Sequence, residues 1–296
     1  MSSQPAPQGH VLVVGSANLD LVATTARHPA PGETLIGRDY AEHPGGKGLN
    51  QAVAAARANA TTRFVGAVGR DDAGRTLADI ATTSGVETSQ LLTVDAPTGR
   101  ALILVADSGE NSIVVVPGAN DLCPPGIPQA GDVVLTQLEV PLSSVGATLQ
   151  RAKAVGAVTI LNPAPARALP PDLLECVDVI VPNQHELAVL GGREALAAAG
   201  VRTLVVTLGA DGADLFDGAD PTAPAHHVTP FDVVPVDTTG AGDAFCGGLA
   251  ARLAAGDDLH SALVFAAANG ALATTVAGAV PSLPVAAATR ALIEDR

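Results

Sequence analysis

Short uncharged apolar runs, separated by helical patterns that often close on glycine, constrain this chain more than any other feature. Residues 11–14 are wholly apolar and stop at Gly15, as suits a strand buried on both faces. Residues 52–58 then read as helix, 64–68 as strand, and 73–83 as helix ending near Gly85. The alternation resumes with a strand at 133–137, a helix at 143–155 closed by Gly156, and a strand at 158–161. Two more apolar runs follow at 177–181 and 203–208. Such alternation predicts an α/β fold: a doubly wound, mostly parallel sheet flanked by helices.

Two regions interrupt it. Residues 33–43 and 101–116 read as strands without intervening helices, and Gly109 and Asn111 supply a turn within the second. They predict a small antiparallel β lid beside the main sheet, built from about 17–44 and 98–118. The C-terminal third is helical. Residues 243–255 carry Phe245, Leu249 and Leu253 at four-residue steps and stop at Gly256, and 261–276 are almost wholly apolar. No linker divides the chain, so residues 10–296 are expected to form one domain after a frayed tail at 1–9.

Sixteen basic against thirty acidic residues leave a net charge of −14. A nucleic-acid partner needs a basic surface, so that class is excluded, and a small anion must be held by backbone amides or metal. Cys123, Cys176 and Cys246 lie far apart with no CxxC spacing, which points to a reducing, cytoplasmic setting without zinc or disulfides. No leader peptide and no membrane span are expected.

The run Asp237-Thr238-Thr239-Gly240-Ala241-Gly242-Asp243 opens the helix at 243–255. Small residues at 240–242 let backbone amides approach a ligand at a helix N-terminus, which carries roughly half a positive charge. Asp243 then stands beside the bound anion, able to accept a hydroxyl proton. The plainer account, an aspartate cap on a tight turn, fits the same residues.

A second run, Gly45-Gly46-Lys47-Gly48-Leu49-Asn50-Gln51, places one of only two lysines among glycines, and it lacks the spacing of a Walker A loop. Gly15-Ser16-Ala17-Asn18-Leu19-Asp20 follows the first strand, where ligands of open α/β sheets bind. An amide and a carboxylate two residues apart suit a vicinal diol, though an Asx turn explains them equally. Asn183-Gln184-His185-Glu186 suits a helix cap with an acidic first turn, and Thr207-Leu208-Gly209-Ala210-Asp211-Gly212 suits a glycine hairpin.

Taken in this order, the motifs resemble those of the ribokinase-like carbohydrate and nucleoside kinases, from about residue 11 to 282. The resemblance implies an ATP-dependent phosphotransferase with Asp243 as base and Gly240, Ala241 and Gly242 as anion hole. It implies sugar contacts at Asn18, Asp20, Gly46, Lys47, Asn50 and Glu139. Nucleotide contacts fall on Asn183, on Thr207, Leu208, Gly209, Ala210, Asp211 and Gly212, and on Gly242. Glu186 would act on magnesium through water. An activating monovalent cation, potassium, would sit at Asp237, Thr239, Ala273, Val276, Gly278 and Ser282, although Val276 replaces a residue usually basic in the family. Relatives often carry Asn or His where this chain has Ala267, with Asn269 two residues on.

Pro31-Gly32-Glu33-Thr34 and Gly109-Glu110-Asn111 resemble the members that phosphorylate ribose at its 5-hydroxyl. Five Phe, one Tyr and no Trp weaken a nucleoside acceptor, which commonly stacks on aromatic rings. A sugar phosphate such as fructose 6-phosphate would require more cations than Lys47. Deoxyribose and a catalytically silent sugar-binding regulator stay open. Exposed edges of the lid strands would pair two copies into a homodimer.

Overall fold

The computed structural model describes residues 9–217 and 224–296. Of the expected tail, residues 1–8 lie outside the described residues, and the Gly9 N–H donates to the Ala254 carbonyl at 3.0 Å. In chain order the strands are Val11–Val14 (β1), Asn18–Thr25 (β2), Asp39–Gly45 (β3), Thr62–Gly69 (β4), Val86–Val94 (β5), Gly99–Ala106 (β6), Asn111–Val116 (β7), Val133–Thr136 (β8), Val158–Leu161 (β9), Val179–Ile180 (β10), Thr203–Thr207 (β11), Ala213–Asp217 (β12) and His226–Val228 (β13). The helices are Lys47–Arg57 (α1), Asp72–Thr83 (α2), Leu142–Val155 (α3), Pro171–Leu174 (α4), Gln184–Val189 (α5), Gly192–Ala198 (α6), Ala241–Ala254 (α7), Leu259–Ala273 (α8), Ala279–Ser282 (α9) and Ala286–Glu294 (α10).

The main sheet runs β13-β12-β11-β10-β9-β8-β1-β4-β5. It is parallel from β5 to β11, and β12 and β13 add antiparallel strands at one edge. Strand periodicity divides the core in two. Val11 and Val13 pack with Leu49, Leu77, Leu249 and Leu263 on one face, while Leu12 and Val14 pack with Val145, Leu149 and Leu196 on the other. From β1 the chain moves to β4 on one side and later to β8 on the other. This reversal leaves a crevice beyond the carboxyl ends of the strands.

The small sheet, ordered β3-β2-β6-β7, corrects two expectations. It is mixed rather than antiparallel, because β2 pairs with β6 in parallel. Residues 33–38 are not strand: Glu33 folds back onto Arg27 at 2.5 Å and onto the Ala30 N–H at 2.9 Å within an exposed loop. Conversely, Asn18 and Asp20 lie on β2, where ladders on both sides override their poor strand propensity.

Helix α1 begins at Lys47, five residues before the periodic run at 52. No local side chain caps it. Gly46, at φ 89°, turns the chain out of β3. The first amides are then met from a distance, Lys47 N–H by Glu139 Oε2 at 3.1 Å and Leu49 N–H by the Ser16 carbonyl at 2.8 Å. Helix α7 was expected to be amphipathic but is buried from Asp243 to Ala251, because it runs between α1 and α8.

Gly247 permits that burial. A Cβ there would stand 2.5 Å from Ala54 Cβ, 2.7 Å from the Gln51 carbonyl oxygen and 2.9 Å from Ala55 N. Alanine in a helix interior ordinarily gains about 1 kcal/mol over glycine, but overpacking against backbone costs about 1–3 kcal/mol. Gly247→Ala should therefore be destabilising on balance, with a lowered urea midpoint. An unchanged or raised midpoint would show that α1 and α7 have room to separate.

Candidate active site

The N-termini of α1 and α7 converge at the crevice, and the side chains there form one connected set. Asp243, in the first turn of α7, is buried, and Asn50 and Gln51 of α1 grip its carboxylate. Asn50 Nδ2 donates to Oδ2 and Gln51 Nε2 donates to Oδ1, each at 2.9 Å. Hydrogen bonds to a charged group contribute about 1.5–3 kcal/mol each, enough to hold a carboxylate out of water in one orientation. Asn50 Oδ1 is buried and has no partner among the described residues. A ligand hydroxyl would satisfy it.

Asn18 and Asp20 project from the same face of β2, and glycines flank them on the neighbouring strands. Gly99 lies opposite Asn18 and Gly45 beside Asp20, and a Cβ at either would collide with those side chains. Asn18 Oδ1 accepts from Asn120 Nδ2 at 2.7 Å, and Asn120 also brackets the Ala17 peptide. Ser16 Oγ donates to Glu139 Oε2 at 2.5 Å, the oxygen that also receives the Lys47 N–H.

Charge is crowded here. Burial first, then the carboxylates of Glu139 and Asp243, push Asp20 up to about 7, with Lys47 acting in the opposite sense. Burial works against the Lys47 ammonium, but Asp243, Glu139 and Glu186 outweigh it and hold its pKa above the usual lysine value.

Gly240, at φ 78°, turns the chain into α7, and Gly242 is exposed with nothing within 4 Å of where a Cβ would stand. The Ala241 N–H, expected to face an anion, donates to the Thr238 carbonyl at 3.2 Å. Gly242 is thus the open member of the expected cradle. A cleft spreads from it, reaching Lys47, Asn183, Glu186 and Thr207 as the sequence leads one to expect. Thr238, from the run that opens α7, also lines it, as do Asn162, Ala164 and Cys246, which no motif announces. Burial, then the charges of Asp243 and Glu186, raise the Cys246 thiol far above its normal range, so it stays protonated.

Asn183 and Glu186 form the cap that the plainer account describes: Asn183 Oδ1 accepts from the Glu186 N–H and Glu186 Oε2 from the Asn183 N–H, both at 2.8 Å. The same two residues nevertheless line the cleft. Leu208, Gly209, Ala210, Asp211 and Gly212 form the turn between β11 and β12 and are not part of the cleft lining. Asn269 does not replace a side chain at Ala267. It is fully buried, donating to the Ala244 carbonyl and accepting from Thr289 Oγ1, both at 2.8 Å.

The two segments expected to hold a monovalent cation meet. Asp237 accepts from the Thr239 N–H at 2.9 Å and the Gly278 N–H at 2.8 Å, and its own N–H reaches the Thr274 carbonyl at 3.0 Å. Burial opposes ionisation of Asp237, but those amides prevail and hold it below the usual carboxylate range. Ala273 and Ser282 are buried close by in sequence, and Val276 is exposed.

A carboxylate fixed beside exposed small-residue backbone, in the crevice of a doubly wound sheet, is equipment for phosphoryl transfer to an alcohol. The chain belongs to the pfkB family of carbohydrate kinases, whose pattern matches residues 8–286. It is 38% identical to the ribokinase of Haemophilus influenzae, covering 95% of this chain and 97% of that one. To the Staphylococcus aureus ribokinase it is 35% identical, over 93% of this chain and 96% of the relative. The structure of Arabidopsis thaliana ribokinase complexed with ribose and ATP superposes with a TM-score of 0.85 at 32% identity, covering 97% and 99% of the two chains.

The raised Asp20 has a thermodynamic sign. Its pKa climbs from 3.8 to about 7 on folding, so ionisation opposes folding. The penalty is absent below pH 4, grows through the interval up to about 7, and is complete above it. Asp20→Asn should therefore stabilise the sugar-free protein at pH 8 by about 1–3 kcal/mol, and by little at pH 4. Calorimetric melts at the two pH values test this, and an equal effect at both would reject it.

Proposed function

We propose that this chain transfers the γ-phosphoryl group of ATP to the 5-hydroxyl of D-ribose, giving ribose 5-phosphate. The observation that carries the reading is the double amide grip on Asp243 beside the open amide of Gly242. Asp243 accepts the hydroxyl proton as the oxygen attacks, and the open Gly242 amide, presented by the turn through Gly240 and Ala241, faces the migrating group. Asn18 and Asp20 take adjacent sugar hydroxyls, joined by Gly46, Lys47, Asn50 and Glu139. The adenine nucleotide extends past Asn183 and Thr207 toward the turn at Leu208, Gly209, Ala210, Asp211 and Gly212.

Glu186 fits a magnesium ion held through water: its carboxylate faces the cleft, with Oε2 engaged by the Asn183 N–H. Magnesium there would neutralise charge on the β- and γ-phosphates. The joined 237–239 and 273–282 segments fit potassium, with Asp237 supplying the negative charge and backbone carbonyls the remaining oxygens. We also read residues 10–296 as one cytoplasmic kinase domain. Among the described residues no helix is long and apolar enough to cross a membrane.

An ADP-release assay across ribose, deoxyribose, adenosine and fructose 6-phosphate, with and without potassium, tests the substrate. Ribose should give the highest kcat/KM and potassium should raise turnover. Preference for another acceptor would move the chain to that branch, and no turnover with tight ribose binding would make it a regulator. Asp243→Asn should lower kcat by about 10²-fold or more while leaving ribose affinity nearly intact. Near-normal turnover would remove Asp243 as the base.

The lid supports a homodimer. Edge strand β7 is exposed throughout: Val114 and Val116 share a face with Leu102 of β6, and Ile113 and Val115 are exposed on the other face. Sedimentation should give twice the chain mass, and Ile113→Lys should shift it to one chain. A monomeric wild type would reject this pairing.

A further inference from the structure

The buried amides behind Asp243 form a chain with a defined direction. Asn162 Nδ2 donates to the Val181 carbonyl at 3.0 Å, which leaves Asn162 Oδ1 to accept. Gln51 Nε2 donates to that oxygen at 3.1 Å and to Asp243 Oδ1 at 2.9 Å. Gln51 Oε1 in turn accepts from Gln137 Nε2 at 2.6 Å. Gln51 and Gln137 are fully buried and do not line the cleft.

A backbone carbonyl and a carboxylate only accept here, so these two groups decide which end of each amide points where. Turning the Gln51 amide over would face its oxygen toward two acceptors, Asp243 Oδ1 and Asn162 Oδ1, and its NH₂ toward another donor. The arrangement is kept although it leaves Gln137 Oε1 buried without a partner among the described residues. Tolerating an orphaned acceptor to hold one amide polarity shows where the constraint lies.

We propose that Gln51, with its amide polarity locked by Gln137 and Asn162, is a positioning residue that aims the Asp243 carboxylate at the acceptor hydroxyl. This rests on Asp243 being the base. Because Gln51 does not reach the cleft, its loss should act on the chemical step alone, through a carboxylate held only by Asn50. Gln51→Met should lower kcat about tenfold to a hundredfold, with KM for ribose and for ATP within about twofold of the wild type. Gln137→Met, which removes only the lock, should move kcat the same way by a smaller factor.

The decisive readout is the double variant. In an Asp243→Asn background, Gln51→Met should cost less than about a further twofold, because the group it positions is already gone. A merely structural role would lower activity in both backgrounds alike. Unchanged kcat in Gln51→Met, or an equal loss in both backgrounds, overturns the proposal. Should Gln51→Met not fold, full kcat in a folded Gln137→Met overturns it equally. If Asp243→Asn itself retains turnover, the base assignment fails first, and that outcome is distinct from Gln51 failing alone.

Discussion

The close approach of α1 to α7 governs this site. Both helices begin at the crevice, and they touch where Gly247 meets the backbone of Gln51 and Ala55. Only a residue without Cβ allows that distance, and only at that distance do Asn50 and Gln51 reach the Asp243 carboxylate. Packing of small residues thus serves chemistry directly. The alanines and glycines that look featureless in the chain bring two helix N-termini to one point, where their dipoles favour a negatively charged ligand.

Around that point the protein tolerates electrostatic cost. A chain already at −14 gathers Asp20, Glu139, Glu186 and Asp243 about one lysine. Burial first, and then this crowding, lifts Asp20, and Lys47 only partly offsets the two. A ligand hydroxyl able to hydrogen-bond Asp20 and the orphaned Asn50 Oδ1 would relieve that cost. The lid contributes by supplying β2, whose Asn18 and Asp20 fit only because Gly45 and Gly99 leave space beside them.

The elements that were legible in the chain are those with strong local periodicity. β1, α2, α3, β9 and β11 fall within a residue or so of expectation, because buried parallel strands and glycine-closed helices announce themselves. What misled was local preference overruled from afar. Asn18 and Asp20 fit an Asx turn as well as the start of the lid, and lie on strand β2, since β3 and β6 supply the ladders. α1 reads as starting at 52 and starts at Lys47, whose N–H is met by Glu139, 92 residues away in sequence. α7 looks amphipathic and is buried nearly all round, because α1 and α8 enclose it.

Local sequence, then, determined the strand–helix alternation and the small-residue run before Asp243, both of which act over a few residues. Tertiary structure alone decided which side chains meet. Asn120 holds Asn18, Gln137 orients Gln51, and Asn50 holds Asp243, each across a separation that no periodicity encodes. Hydrogen bonds of this kind depend on angles and distances set by packing of the whole sheet. A linear string of residues carries no measure of them until the chain has closed upon itself.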